Sequence, residues 1–95
     1  MMARVDLCYA FLELERYGVA ERYGKRGLAL AEWVGEVDWV KNALYLLGQV
    51  AVLRGDEARA RELFGDLQRR FYPTQGFLCD FLMTVDVRPL INLRA

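Results

Sequence analysis

Apolar residues recur at helical spacing through most of the chain, and the breaks between the runs fall at glycines. From about Ala3 to Arg16, Leu7, Phe11 and Leu14 mark a first helix, with Gly18 at the turn. A second runs from about Val19 to Val34. Its packing stripe is Ala20, Tyr23, Gly24, Gly27, Leu30, Ala31 and Val34, and Gly35 ends it. Asp38 is placed to cap a third helix, about Trp39 to Arg54, which carries Ala43, Leu44, Leu47, Gly48, Ala51 and Val52. Gly55 is a C-terminal stop, and Asp56 follows at once as an N-cap. The fourth helix has the stripe Ala60, Leu63, Phe64, Leu67 and Phe71, with Glu57 in its first turn and Arg69 and Arg70 in its last, as the helix dipole favours.

After Tyr72 and Pro73 the pattern restarts. Thr74 can cap a fifth helix bearing Phe77, Leu78, Phe81, Leu82 and Val85. The stretch from Asp86 onward contains Pro89 and reads as extended or irregular, yet Val87, Leu90, Ile91 and Leu93 make it too apolar for a solvated tail. Short connections between consecutive helices make antiparallel neighbours. The expectation is an all-α fold: a first hairpin over 1–40, a second over 41–74, and a terminal helix and tail over 75–95, all in one domain.

The third and fourth helices, Lys41 to Thr74, resemble one tetratricopeptide repeat, a unit of about 34 residues. Leu44, Leu47-Gly48 and Ala51 answer the pattern of the first helix, and Gly55, Ala60, Phe64, Leu67 and Pro73 that of the turn and the second helix. Small residues let two antiparallel helices approach, and large ones fill the space between them. Moving one repeat forward places Leu78, Phe81, Leu82 and Val85 on Leu44, Leu47, Gly48 and Ala51. Moving back 40 positions places Leu7, Cys8, Phe11 and Ala20 on Leu47, Gly48, Ala51 and Ala60, with Glu15 where glycine is expected. The longer first unit is similar to those in bacterial regulators and adaptors. The resemblance implies a right-handed superhelix of αα-hairpins and a role in binding proteins.

It also implies a concave groove lined by the first helix of each hairpin. By position its residues are Val5, Tyr9, Leu12 and Glu13, then Asn42, Tyr45, Gln49 and Val52. Asn42, Tyr45 and Gln49 share one helix face, where two amides and a phenol suit recognition of a peptide backbone. The plainer reading makes them ordinary exposed polar residues. Basic side chains that would clamp a carboxylate terminus are not evident.

Composition narrows the chemistry. The 95 residues include no His and no Ser, which removes triads, imidazole acid–base work and His-ligated metal sites. Thirteen basic residues balance thirteen acidic ones, so a general nucleic-acid binder is not expected. Arg54, Arg59, Arg61, Arg69 and Arg70 interleave with Asp56, Glu57, Glu62 and Asp66, as on a solvated, ion-paired face. Gly24-Lys25-Arg26-Gly27 has the spacing of a KH-domain loop but lies in helical pattern on both sides. Glu13 with Tyr17 and Glu32 with Glu36 are four apart, without any nucleophile or phosphate loop beside them. No cofactor is implied. Cys8 and Cys79 are too few and too far apart for a disulfide framework or metal site, which favours a reducing, cytoplasmic setting. Cys8 occupies a small-residue packing position, whereas Cys79 lies on the groove side of the fifth helix. Trp33 and Trp39 read as packing anchors between the hairpins. The longest uncharged run, Asn42 to Leu53, is too short to span a bilayer.

Two and a half repeat units leave an apolar end uncovered. The expectation is a non-catalytic scaffold or adaptor that self-associates through Phe77, Leu78, Phe81, Leu82, Leu90 and Ile91, forming a homo-oligomer, with a protein or peptide partner in the groove. The alternative is a regulatory, ligand-sensing C-terminal domain of a bacterial transcription regulator, with which the start at Met1-Met2 directly into helical pattern is compatible.

Overall fold

The third helix carries apolar residues all round its circumference, with Asn42 and Gln49 among them, and that places it at the centre of the molecule. A computed structural model describes residues 3–91. Leu93 and the Met1-Met2 start lie outside the described residues. The elements are α1 (Ala3–Glu13), α2 (Tyr17–Val34), α3 (Val37–Leu53), α4 (Glu57–Phe71), α5 (Leu78–Leu82) and a 3-10 turn (Arg88–Leu90). The protein is all-α, and no strand occurs among the described residues. Helix α3 is buried from Asn42 through Ala51. It packs on α1, α2 and α4, and the 3-10 turn covers it from a further side.

The first three reversals use one device. The amides of Arg16, Glu36 and Asp56 donate to the carbonyls of Phe11, Ala31 and Ala51, at 2.8, 3.0 and 2.9 Å. In each case the preceding residue is left-handed: Glu15 at φ 58°, Gly35 at 78° and Gly55 at 76°. This bond, from a residue two or three past the helix end back into its last turn, closes the orphan carbonyls. Helix α1 therefore stops at Glu13 rather than Arg16. Gly18 lies inside the first turn of α2, and Glu15 makes the turn assigned to it. A left-handed conformation costs a side chain roughly 1 kcal/mol that glycine does not incur. Glu15→Gly is accordingly expected to raise the midpoint of thermal unfolding by a few degrees. A lower midpoint would show that the Glu15 side chain contributes more than its backbone strain removes.

Other caps also differ from expectation. Asp56 does cap α4, accepting from the Arg59 amide at 3.2 Å. Asp38 does not cap α3, whose N-cap is Glu36 with no side-chain bond. It sits in the first turn, where its charge suits the dipole and lies 3.8 Å from Lys41 Nζ. The fifth helix is only one turn long, and Thr74 lies in the turn before it. The Thr84 hydroxyl donates to the Phe81 carbonyl at 2.8 Å, and the Thr84 amide reaches the same oxygen at 3.0 Å. That local closure ends the helix before Val85.

The helices interlock through size pairs. A Cβ at Gly48 would overlap the edge of the Phe64 ring, so α3 and α4 touch there because glycine leaves the space. On α2, a Cβ at Gly24 would meet Leu47 Cδ2 at 2.7 Å and Cys8 Sγ at 3.0 Å, and one at Gly27 would meet Val5 Cγ2 at 2.7 Å. The two α2 glycines are thus the contact surface for α1 and α3, within helical structure and not in a nucleic-acid loop. The pairs 5–27 and 8–24 run in opposite sequence directions, which makes α1 and α2 antiparallel. Phe11 and Tyr23 stack with ring centroids 5.6 Å apart across the same pair. Of the two tryptophans, Trp39 is buried as an anchor. Trp33 is not an anchor: at 84% exposure it stands off the last turn of α2, on the side facing away from α1 and α3.

Candidate interaction surfaces

The spacing 42, 45, 49 does bring Asn42, Tyr45 and Gln49 to one face of α3, but that face is covered. Gln49 is 4% exposed, and Asn42 and Tyr45 are buried beside it. Neither an open groove nor an ordinary solvated face describes them. The Val87 amide donates to Gln49 Oε1 at 3.2 Å, and the Val87 side chain is fully buried. The chain's own C-terminal segment therefore lies across the surface where a ligand was expected.

Its route follows from α4. After the turn at Pro73, α5 packs on α4, with Asp80 2.7 Å from Arg61 and Cys79 Sγ donating to the Arg61 carbonyl at 3.6 Å. The segment then crosses α3 and reaches α1, where Arg88 contacts Glu13 at 3.2 Å. Asp86 shapes this arm. Its carboxylate accepts from the Arg88 backbone amide at 3.0 Å, from Nε at 2.8 Å and from the second guanidinium nitrogen at 2.6 Å. The guanidinium holds the Asp86 carboxyl below the usual carboxylate range, and the carboxylate in turn raises Arg88. Glu13, assigned to the groove, thus has an arginine of the same chain as its partner. Tyr9 on α1 is half-buried.

The other end of the face is closed by aromatic groups. Burial, and then a hydrogen bond with the Tyr72 phenol, push the Tyr45 hydroxyl far above the ordinary tyrosine range, so it stays neutral. Lys41 Nζ lies 5.7 Å from the Tyr72 ring centroid and 5.8 Å from that of Phe71, within cation–π reach of both. These contacts join the start of α3 to the end of α4.

The residues assigned to self-association divide into two groups. Phe77, Phe81 and Leu90 are 65, 49 and 50% exposed, and Leu78 and Ile91 are half-buried. Leu82 is fully buried and belongs to the core. In a single helical turn, Phe77 and Phe81 point one way and Leu82 the other.

Much of the charged surface of α4 is paired. Arg59 lies 2.7 Å from Glu62 and Arg61 3.2 Å from Glu57. Arg70 lies 2.7 Å from Glu32 and 3.2 Å from Asp66. Such exposed pairs contribute up to about 1 kcal/mol each, and they offset the charges of Arg59, Arg61 and Arg70. Glu32 is therefore committed to Arg70 rather than to Glu36. A cleft of about 390 Å³ is lined by Val52, Gly55, Glu57, Arg61, Met83 and Thr84, and its one acid and one base are bonded to each other. A second, of about 340 Å³, lies between α2 and α4 with Glu32, Arg59, Glu62, Asp66 and Arg69 on its walls. Burial pushes the Cys8 thiol up to about 12, so it behaves as a small apolar group. Cys79 is half-buried. Among the described residues no cluster of potential ligands could hold a metal ion, and no helix is long and apolar enough to cross a membrane.

Sequence reasoning missed Asp86, Val87 and Arg88 as a unit. The one signal available was the apolar character of a segment that also carries an Asp-x-Arg spacing. No protein-family model, curated protein or solved structure matches this chain.

Proposed function

We propose that the chain is a non-catalytic protein–protein interaction module, built from tetratricopeptide-like hairpins, that self-associates through its C-terminal end. Support for the repeat reading comes from the Gly48–Phe64 fit at the two positions where that pattern asks for a small and an aromatic residue. The observation carrying the function is the exposure of Phe77 and Phe81 on one side of α5 with Leu90 in the turn beyond. Large apolar side chains exposed on the C-terminal part of a helical array lose contact with water when a second copy covers them. A formal net charge of zero sets no long-range repulsion against that association. Two free thiols agree with a cytoplasmic setting.

Light scattering over a hundredfold range of concentration tests this. The expected result is a mass rising to a dimer or larger closed assembly, returning to that of a monomer in a Phe81→Asp, Leu90→Asp double variant with unchanged helical circular dichroism. A wild-type mass that stays monomeric throughout would overturn the reading.

A further inference from the structure

We infer that Val85–Leu90 is a displaceable internal ligand, and that the face beneath it accepts a partner peptide of the same chemistry: an aliphatic residue whose own amide meets Gln49, followed directly by an arginine that meets Glu13. This inference rests on the proposal that the chain is an interaction module.

Three observations carry it. The first is the kind of contact. Gln49 is a buried amide on the same face of α3 as Asn42 and the Tyr45 phenol, and its oxygen accepts from the backbone of a segment 38 residues away. A side-chain acceptor that reads a backbone N–H does not depend on which residue supplies it. Specificity then comes from the pocket holding Val87 and from the Glu13 carboxylate.

The second is how the segment is held. Val87 is its one fully buried side chain, while Pro89 and Leu90 are exposed. The Arg88–Glu13 pair is open to water, with side-chain exposures of 30 and 48%. Tethering, rather than contact strength, keeps the segment in place, since a short connection presents it at high effective concentration. An untethered peptide with the same contacts competes on equal terms once its concentration is comparable.

The third is preorganisation. The Asp86 carboxylate fixes the Arg88 guanidinium and amide within the segment itself, so the Asp-Val-Arg unit presents its shape without help from α1 or α3. The cleft of about 390 Å³ lined by Met83 and Thr84 leaves space where the segment departs from α5.

The test is fluorescence anisotropy with a labelled peptide of the sequence Thr84–Ile91 added to the full chain. Binding is expected to be at least tenfold tighter to Val87→Asp, whose own segment cannot seat a carboxylate in the apolar pocket, than to the wild type. A peptide carrying Arg88→Glu should lose that affinity, and a protein carrying both Val87→Asp and Glu13→Arg should restore it. Equal affinity for wild type and Val87→Asp, or indifference to the charge exchange, would overturn the inference. Should Val87→Asp fail to fold by circular dichroism, hydrogen exchange on the wild type decides: excess peptide must speed exchange of the Val87 amide, and an unchanged rate overturns it. The two proposals fail separately. Loss of peptide binding with a concentration-dependent mass removes the internal ligand alone, and a fixed monomeric mass with peptide bound removes self-association alone.

Discussion

Gly48→Ala is expected to lower the free energy of unfolding by roughly 2–3 kcal/mol, although alanine is the better helix former by about 1 kcal/mol. The added methyl would overlap the edge of the Phe64 ring, 2.5 Å from Cζ and 2.7 Å from Cδ1, and that ring is fully buried. The same change at Gly27 meets Val5 Cγ2 at 2.7 Å and the Val5 backbone nitrogen at 3.1 Å, so α1 itself must shift. At Gly24 the obstacles are the ends of Leu47 and Cys8, and Leu47 can rotate. At Gly65 the nearest group is the end of the Arg69 side chain at 3.1 Å, which swings aside, and there alanine should stabilise α4. Urea unfolding of the four variants should therefore rank the losses 48, 27, 24, with 65 reversed in sign. Combining Gly48→Ala with Phe64→Leu should recover at least about 1 kcal/mol of the summed single losses, because the smaller side chain vacates the space the methyl needs. Strict additivity would mean that the two residues do not share a contact.

That pair also shows what the sequence carried about the fold. Size complementarity can be read one hairpin at a time: Gly48 opposite Phe64 in the second, and 40 positions earlier Cys8 opposite Gly24. The large and small members have exchanged helices, and the close approach survives because only their combined volume matters. Cys8 was legible as a packing position because the shift of 40 places it on Gly48, whereas its pairing with Gly24 was not. Helix ends were legible where glycine supplied the left-handed residue, at Gly35 and Gly55. The end of α1 was not, because Glu15 adopts the same conformation without the residue type that announces it. The length of α5 was misread for a different reason. Phe77, Leu78, Phe81, Leu82 and Val85 satisfy the helical period, but the Thr84 hydroxyl competes for the carbonyl that the next turn would use.

For the candidate surface, periodicity settled which residues share a face and could not say what lies on it. Helical spacing is a local quantity. The contacts that decide the state of Gln49 and Glu13 join residues 38 and 75 positions apart. A strongly apolar tail signalled that something is covered, and the structure divides that signal between two destinations. Val87 and Leu82 face inward, whereas Phe77, Phe81 and Leu90 remain outside.

Adjacent residues of α5 should separate these destinations experimentally. Leu82→Ala is expected to cost about 2–4 kcal/mol, since it leaves a cavity under a fully buried side chain. The loss is limited by the free energy holding α5 and the following segment on the body, because that unit can detach before the hairpins unfold. Phe81→Ala removes a larger side chain from a half-exposed site and should change the stability of the monomer by no more than about 0.5 kcal/mol. Its effect should appear in assembly, as a midpoint of association shifted to higher concentration. Urea unfolding at low protein concentration reads the first quantity and light scattering the second. If Phe81→Ala instead proved as destabilising as Leu82→Ala, its ring would be part of the core, and the surface proposed for self-association would lose its central residue. If Leu82→Ala cost nothing, α5 would not be docked through that side chain, and the segment beyond it would have to hold itself on α3 through Val87 and Arg88 alone.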